Sequence, residues 1–400
     1  MSHNHSSALF CQEWTVQKAG LKPEQNEDAC LTRSLKREDD SPLLLIAIAD
    51  GATEAVYSRL WAKKLVEAAG PDWPSLSDDD LGELLTQVCK EFSPIEPGKD
   101  VPWFVRNKYM DQGSQATLLV VTVAGSKDAD SFDVLAVSVG DCCLILFKAS
   151  GEVLSFPMHS SDEFGVNPVL LGNRISKPAR YDRWEGRAEA GDLILIGTDA
   201  MSKWALQCLE RKQHGLLFES LLELLGRTTP DFGQQVEVSA SADSRPNITG
   251  VETDESSSDD LKDAQQSSKL GWFLGHLWPW SNHEPHDTAE SSDDQQPLPE
   301  VTAKQSEGNG KHIVSQNTQP ASVGTTSDSC LKFKQFIDRY REPESDLQMR
   351  NDDSTLVVCI PVRSASDGQE REALQVVKGL EAAVAQRLQA SQQMNDVSSD

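Results

Sequence analysis

Six short runs of apolar, strand-forming residues set the limits on what this chain can become. They are Leu43–Ala49, Thr117–Ala124, Phe132–Val139, Cys142–Lys148, Asp192–Gly197 and Thr355–Pro361. Each is bounded by turn residues and has the length of a strand rather than a helix. Three of them crowd between Thr117 and Lys148. A parallel pair needs a connection of about a dozen residues or more, so this spacing predicts antiparallel pairing. Val139-Gly140-Asp141 reads as a tight hairpin junction between two of the runs. Helical spacing marks Glu54–Ala69, Asp79–Phe92, Leu216–Leu225 and Leu331–Arg341. In the first of these, Val56, Leu60, Leu65 and Ala68 recur on one face, with Arg59, Lys63 and Lys64 between them. Strands in runs with helices grouped around them predict an α+β layered sandwich.

The composition shifts sharply at about Thr229. Residues 231–330 carry 17 Asp and Glu against 5 Lys and Arg, with 16 Ser and 9 Gln. Stretches such as Glu252–Asp260 have no apolar periodicity and too little apolar surface to offset the entropy of ordering. We therefore expect residues 1–228 to form the first part of a folded domain and 229–330 an acidic disordered insertion. Residues 331–363 complete the domain, and 366–400 form a C-terminal amphipathic helix and tail. That helix sets Leu374, Val377, Leu380, Val384 and Leu388 on one stripe, to pack on the domain or to dimerise. One island interrupts the insertion at residues 270–280, LGWFLGHLWPW, with three of the nine tryptophans. It is too short to span a bilayer and reads as a docking segment, for a partner or for the protein's own surface.

Charge excludes some functions. The formal net charge is −26, with a pI near 4.6, which disfavours nucleic-acid partners and anionic membrane surfaces because both attract basic proteins. Residues 1–9 lack a basic segment leading into an apolar one, and no run of about 18 apolar residues occurs, so neither a signal peptide nor a membrane span is expected. The eight cysteines form no CxxC pair and mostly sit in apolar runs, which fits buried thiols in a reducing cytoplasm. His3 and His5 read as a flexible tail, and His159 and His214 as surface or turn residues.

Five aspartates fall where strands begin or end: Asp28, Asp50, Asp141, Asp199 and Asp352. Strand ends are where the backbone leaves a sheet and can aim side chains into a shared cleft. Carboxylates gathered in one place repel one another and are not buried without compensation. Hard divalent cations such as Mg²⁺ or Mn²⁺ supply it through oxygen ligands. Neither His nor Cys occurs among these five positions, which argues against zinc.

Six segments occur in a telling order: Asn26-Glu27-Asp28, Asp50-Gly51, Gly113-Ser114-Gln115-Ala116-Thr117, Gly140-Asp141, Thr198-Asp199-Ala200 and Asp352-Asp353-Ser354-Thr355. In this they resemble the metal-dependent PPM-type (type 2C) serine/threonine protein phosphatases, with Thr198–Trp204 (TDAMSKW) closest to the bacterial branch. The resemblance implies a four-layer α-β-β-α sandwich of two antiparallel sheets flanked by helices. It also implies hydrolysis of phosphoserine or phosphothreonine by a water bridging two Mg²⁺ or Mn²⁺ ions. Asp50 would bridge the metals and Gly51 would add its carbonyl, while Asp199 and Asp352 complete the first site. Glu27 and Asp28 match an acidic pair holding the metals, and Asp141 with Asp199 would take a third ion. Asp50, Asp28 and Glu27 are thus the expected catalytic residues, and a phosphoprotein of a serine/threonine kinase pathway the expected partner.

The sequence departs from that pattern in several places. Pro23 stands where the family has a phosphate-gripping arginine, leaving the adjacent Lys22 to meet the substrate phosphate. Ala52 replaces a histidine, Thr53-Glu54 replaces a glycine pair, and Cys143 replaces an arginine. A second reading follows from these losses: a catalytically weak phosphatase-like module that binds phosphoproteins or scaffolds a kinase. A two-metal nuclease would share the carboxylates but conflicts with the charge. Trp204 reads as core, and Glu54 as a residue favouring a helix N-terminus.

Overall fold

The computed structural model describes residues 8–95, 100–126, 129–165, 168–174, 181–226, 327–342, 347–363 and 368–397. All of them belong to a single unit. Most of the expected insertion, including 270–280, lies outside these residues, as do His3 and His5.

Two five-stranded antiparallel sheets form the centre. The first runs β1 (Ala8–Val16), β12 (Ser354–Val362), β11 (Leu193–Gly197), β7 (Cys143–Phe147), β8 (Val153–Phe156). The second runs β10 (Asp182–Glu189), β6 (Ala129–Val139), β5 (Leu118–Ser126), β3 (Pro42–Ala49), β2 (Ala29–Lys36). A short pair, β4 (Gln115–Ala116) with β9 (Leu171–Gly172), lies outside both.

Side-chain alternation explains why the inner strands read as unbroken apolar runs. In β3, Leu44, Ile46 and Ile48 face the space between the sheets, while Leu45, Ala47 and Ala49 face outward under helices. In β12, Val357 and Cys359 point inward, and Leu356, Val358 and Ile360 point outward. A strand covered on both faces has no place for polar residues. Helices α1 (Ser58–Ala68) and α2 (Asp78–Glu91) cover the second sheet through Trp61, Leu65, Leu81 and Leu85. Four helices cover the first: α4 (Asp199–Glu210), α5 (His214–Leu225), α6 (Ser327–Arg341) and α7 (Gln369–Val397). Trp204, Phe218, Phe333 and Val377 supply their buried faces. The layers are therefore α-β-β-α, as expected, and Trp204 is a core residue. Each fully buried large apolar side chain contributes about 1.5–3 kcal/mol.

Several local readings need correction. Val139-Gly140-Asp141 is no hairpin: it carries the chain from β6 in one sheet to β7 in the other. Gly140 sits at φ +102°, and a Cβ there would lie 2.5 Å from Thr117 Cγ2, so the crossing needs glycine on both counts. Helix α1 starts at Ser58 rather than Glu54, because Tyr57 adopts a left-handed φ of 58° that ends the preceding turn. Glu54 is accordingly exposed in that turn and caps nothing. Helix α3 (Trp103–Gln112) has no apolar stripe and escaped the periodicity argument.

The C-terminal helix α7 packs on the domain. Ala373, Val377, Leu380 and Val384 are buried against α5 and the first sheet, and Leu374 and Leu388 flank them. The eight cysteines are free thiols. Among the described residues, no helix is long and apolar enough to cross a membrane.

Candidate metal centre

Strand register brings the aspartates to one end of the sandwich. In the second sheet, Ala29 pairs with Ala49 and Leu118 with Val139. Asp28 and Asp50 therefore flank the last pair of one ladder, and Asp141 follows the last pair of another. In the first sheet, Gly197 pairs with both Cys143 and Leu356, and Val16 with Ser354. Asp199 lies two residues beyond Gly197, at the first turn of α4, and Asp352 lies two before Ser354.

Hydroxyl groups join the two sheets at this end. Asp28 Oδ2 accepts from Thr198 at 3.0 Å and from Thr355 at 2.8 Å, one residue on each of two strand ends of the other sheet. Thr355 in turn shares a 3.0 Å hydrogen bond with Thr15, which accepts from Asn26 Nδ2 at 2.8 Å. Asp50 is fixed through its backbone: its N–H donates to Thr117 Oγ1 at 3.2 Å, and its carbonyl accepts from Thr117 N at 2.8 Å. The GSQAT segment thus serves to lock the Asp50 turn. A Cβ on Gly51 would lie 2.9 Å from the Glu27 carbonyl oxygen and equally close to Ser58, so only glycine fits there.

Burial and mutual repulsion dominate the electrostatics. Burial pushes the Asp28 carboxyl well above the ordinary range, with Asp353 adding to the effect and the two threonine hydroxyls opposing it. Burial likewise lifts Asp50, reinforced by Asp28, Asp199, Asp352 and Asp141. Asp141 is pushed up to about 7, first by burial and then by Asp199. Asp199 is raised by burial and by Asp352. These assignments tie all five strand-end aspartates into one electrostatic group. Asp28 Oδ1 and Asp199 Oδ1 are buried without a hydrogen-bond partner. A buried, unpaired carboxylate oxygen is costly, and an oxygen-only donor set suits a hard divalent cation.

The carboxylates do not stand in ligand contact. Among the described residues, no three His, Cys, Asp or Glu side chains are gathered closely enough to grip an ion as they stand. Two of the five instead hold cations of the chain itself: Lys18 Nζ lies 2.8 Å from Asp352 Oδ1, and Arg350 Nη1 lies 2.8 Å from Asp199 Oδ2.

Glu27 is engaged by the protein. Its carboxylate accepts from Ser58 Oγ at 2.7 Å and Thr53 Oγ1 at 2.9 Å, and Lys18 Nζ lies 3.7 Å away. Asp353, beside the expected ligand Asp352, is buried and accepts the backbone N–H groups of Lys18 at 2.7 Å and Glu27 at 2.6 Å. It clamps the loop before β2 to the loop before β12. Beside this network lies an open groove of about 360 Å³, lined by Lys18, Gln25, Glu27, Thr53, Tyr57 and Arg59 among others. Lys22 is exposed, and its backbone N–H donates to Gln25 Oε1 at 3.1 Å. Sequence reasoning missed Lys18, Arg59 and Arg350, because a lone basic residue carries no spacing signal. His159 is exposed on the other hand, and Cys143 is buried in the core of the first sheet.

No family model matches the chain, and no curated relative matches it. Solved structures do resemble it. The catalytic domain of the serine threonine protein phosphatase PstP in complex with two manganese ions aligns at TM-score 0.38 and 12% identity, over 88% of this chain and 98% of that one. RsbX in complex with magnesium aligns at TM-score 0.31 and 18% identity, over 48% and 74%. The photosystem II phosphatase PBCP aligns at TM-score 0.32 and 17% identity, over 48% and 67%. At these scores the likeness adds nothing to the geometry above.

Proposed function

We propose that this chain is a divalent-metal-dependent phosphatase acting on phosphoserine or phosphothreonine in proteins. One observation carries the reading: five aspartates from both sheets meet at one end of the sandwich, with Asp28 Oδ1 and Asp199 Oδ1 buried and unpartnered. Asp28, Asp50, Asp141, Asp199 and Asp352, with the Gly51 carbonyl, would hold two ions of Mg²⁺ or Mn²⁺, with Asp141 and Asp199 open to a third. Such ions, when bound, lower the pKa of water and neutralise charge developing on phosphoryl oxygens.

The chain's own residues then bind and orient. Arg59 lines the groove beside Glu27 and would offer a phosphate dianion positive charge, with Lys18 adding its own once a metal ion has taken over Asp352. Lys22, exposed on the same loop as Lys18, would be a further cation for the phosphate. Thr53 and Ser58 fix the Glu27 carboxylate at the border between groove and acidic cluster. A covalent cysteine route is disfavoured. Cys142, which hydrogen-bonds Thr117 at 3.0 Å, is buried, and burial pushes its thiol well above the ordinary value. The substrate would come from a serine/threonine kinase pathway.

The test is turnover of para-nitrophenyl phosphate and of a phosphothreonine peptide by the purified chain. Manganese should support hydrolysis, and Asp50→Asn should remove it. Equal rates with manganese and with a chelator would sink the reading. A second reading is a catalytically weak module that binds phosphoproteins. The engagement of Asp199 and Asp352 by Arg350 and Lys18 favours it. Phosphopeptide binding without manganese uptake in calorimetry would select that alternative.

A further inference from the structure

Arg350 sits in the turn that leads into β12, where its carbonyl accepts the Asp352 N–H at 2.9 Å. Its Nη1 donates to Asp199 Oδ2 at 2.8 Å. The two partners differ in environment: the Asp199 side chain is 7% exposed and that of Arg350 is 44% exposed. The guanidinium therefore reaches inward from the solvent edge to a buried carboxylate whose other oxygen has no partner. Asp352 and Asp141 add their fields at the same point, and together with Asp199 they raise the Arg350 pKa.

We propose that Arg350 is a tethered counter-cation, holding Asp199 in the metal-free chain and competing with a divalent ion for that carboxylate. The proposal rests on the metal-centre reading above. Three features support competition over permanent pairing. The contact is made through one terminal nitrogen rather than a bidentate fork, the arrangement that gives arginine its strongest grip. The Arg350 side chain is nearly half exposed, so water can take up its charge on release. The backbone hydrogen bond to Asp352 also keeps it close to the site, giving a high effective concentration without a fixed geometry.

The competition differs from that of protons. Arginine stays charged at any accessible pH, so acid or base does not remove it. The chain would then admit metal only above an ion concentration that Arg350 sets, and a neutral residue there would lower that threshold.

The experiment is titration calorimetry of the metal-free full chain with manganese chloride at one pH and ionic strength, for wild type, Arg350→Ala and Arg350→Lys. Arg350→Ala should bind manganese with a Kd at least about fivefold lower, and Arg350→Lys should fall between. Thermal melting supplies a second readout. Arg350→Ala should melt below wild type without metal, because Asp199 loses its counter-charge, and match wild type at saturating manganese. A Kd that is unchanged or higher in Arg350→Ala overturns the proposal while leaving the metal centre intact. Absence of manganese binding by wild type overturns both.

Discussion

Thr355 donates its hydroxyl to Asp28 Oδ2 at 2.8 Å, so a strand of one sheet holds the carboxylate that precedes a strand of the other. With Thr198 on the same oxygen, this places the acidic cluster at a seam between the sheets. Removing the donor without changing the shape tests the seam. Thr355→Val should cost about 1–3 kcal/mol in urea unfolding at pH 7, the range for leaving a buried polar group without its hydrogen-bond partner. An unchanged midpoint would show that the contact contributes nothing.

The acidic cluster should make metal-free stability fall as pH rises. Burial, and after it the neighbouring Asp199, pushes the Asp141 carboxyl up to about 7 in the folded chain, against an ordinary value of 3.8. The folded state therefore holds a proton that the unfolded state has already released. The cost is absent below pH 4, grows between 4 and 7, and is complete above 7. Thermal melts without metal should decline across that window, and saturating manganese should restore the loss at pH 7.5 far more than at pH 5. A metal effect equal at both values would contradict the raised carboxyls.

Two adjacent aspartates should separate by role. Asp353 accepts two backbone N–H groups and is buried, whereas Asp352 faces Lys18. An amide at 353 places an NH₂ group against an N–H donor. Asp353→Asn should lower the melting temperature sharply, whereas Asp352→Asn should weaken manganese binding about tenfold or more with a smaller change in melting. Calorimetry and melting on the same two proteins decide the matter, and identical profiles would refute the division.

Gly140→Ala should destabilise the fold. It forces a side chain onto φ +102° and into Thr117, which itself holds the Asp50 turn. Strain at such a position costs about 1–3 kcal/mol before the clash is counted. Urea unfolding would reveal it, and a variant as stable as wild type would mean that the crossing relaxes freely.

Deleting 235–325 should leave a folded chain that still binds manganese, because β12 and α6 complete the first sheet and its helical cover from beyond that segment. Circular dichroism and calorimetry check this. Loss of cooperative melting would refute the expected division into 1–228 and 331–363 around an insertion.

How much of this was legible depended on burial. Inner strands such as β3 and β12 bury both faces, so each stands out as an apolar run. Strand β10 did not, because its burial alternates along DRWEGRAE and half its residues meet solvent. Strand β1 escaped for a related reason: most of its residues are only partly buried. The aspartates were visible because turns at strand ends concentrate there. Their true neighbours were not, since Lys18 and Asp352 lie 334 positions apart and only the β1–β12 pairing brings them together. The change of sheet at Gly140 was hidden too, because a short glycine turn has the same local sequence whether it reverses within a sheet or leaves it.

Strand β12 lies between β1 and β11. A ribosome must therefore add some 340 residues after Val16 before β1 can meet its partner. Until then two long ladder edges wait unpaired, a condition that invites mispairing. Nascent chains stalled before Ser354 should leave no protease-resistant fragment reaching from β1 to α5, whereas chains released after Val397 should leave one. The acidic cluster is bound to the same schedule: it cannot assemble on an unfinished polypeptide.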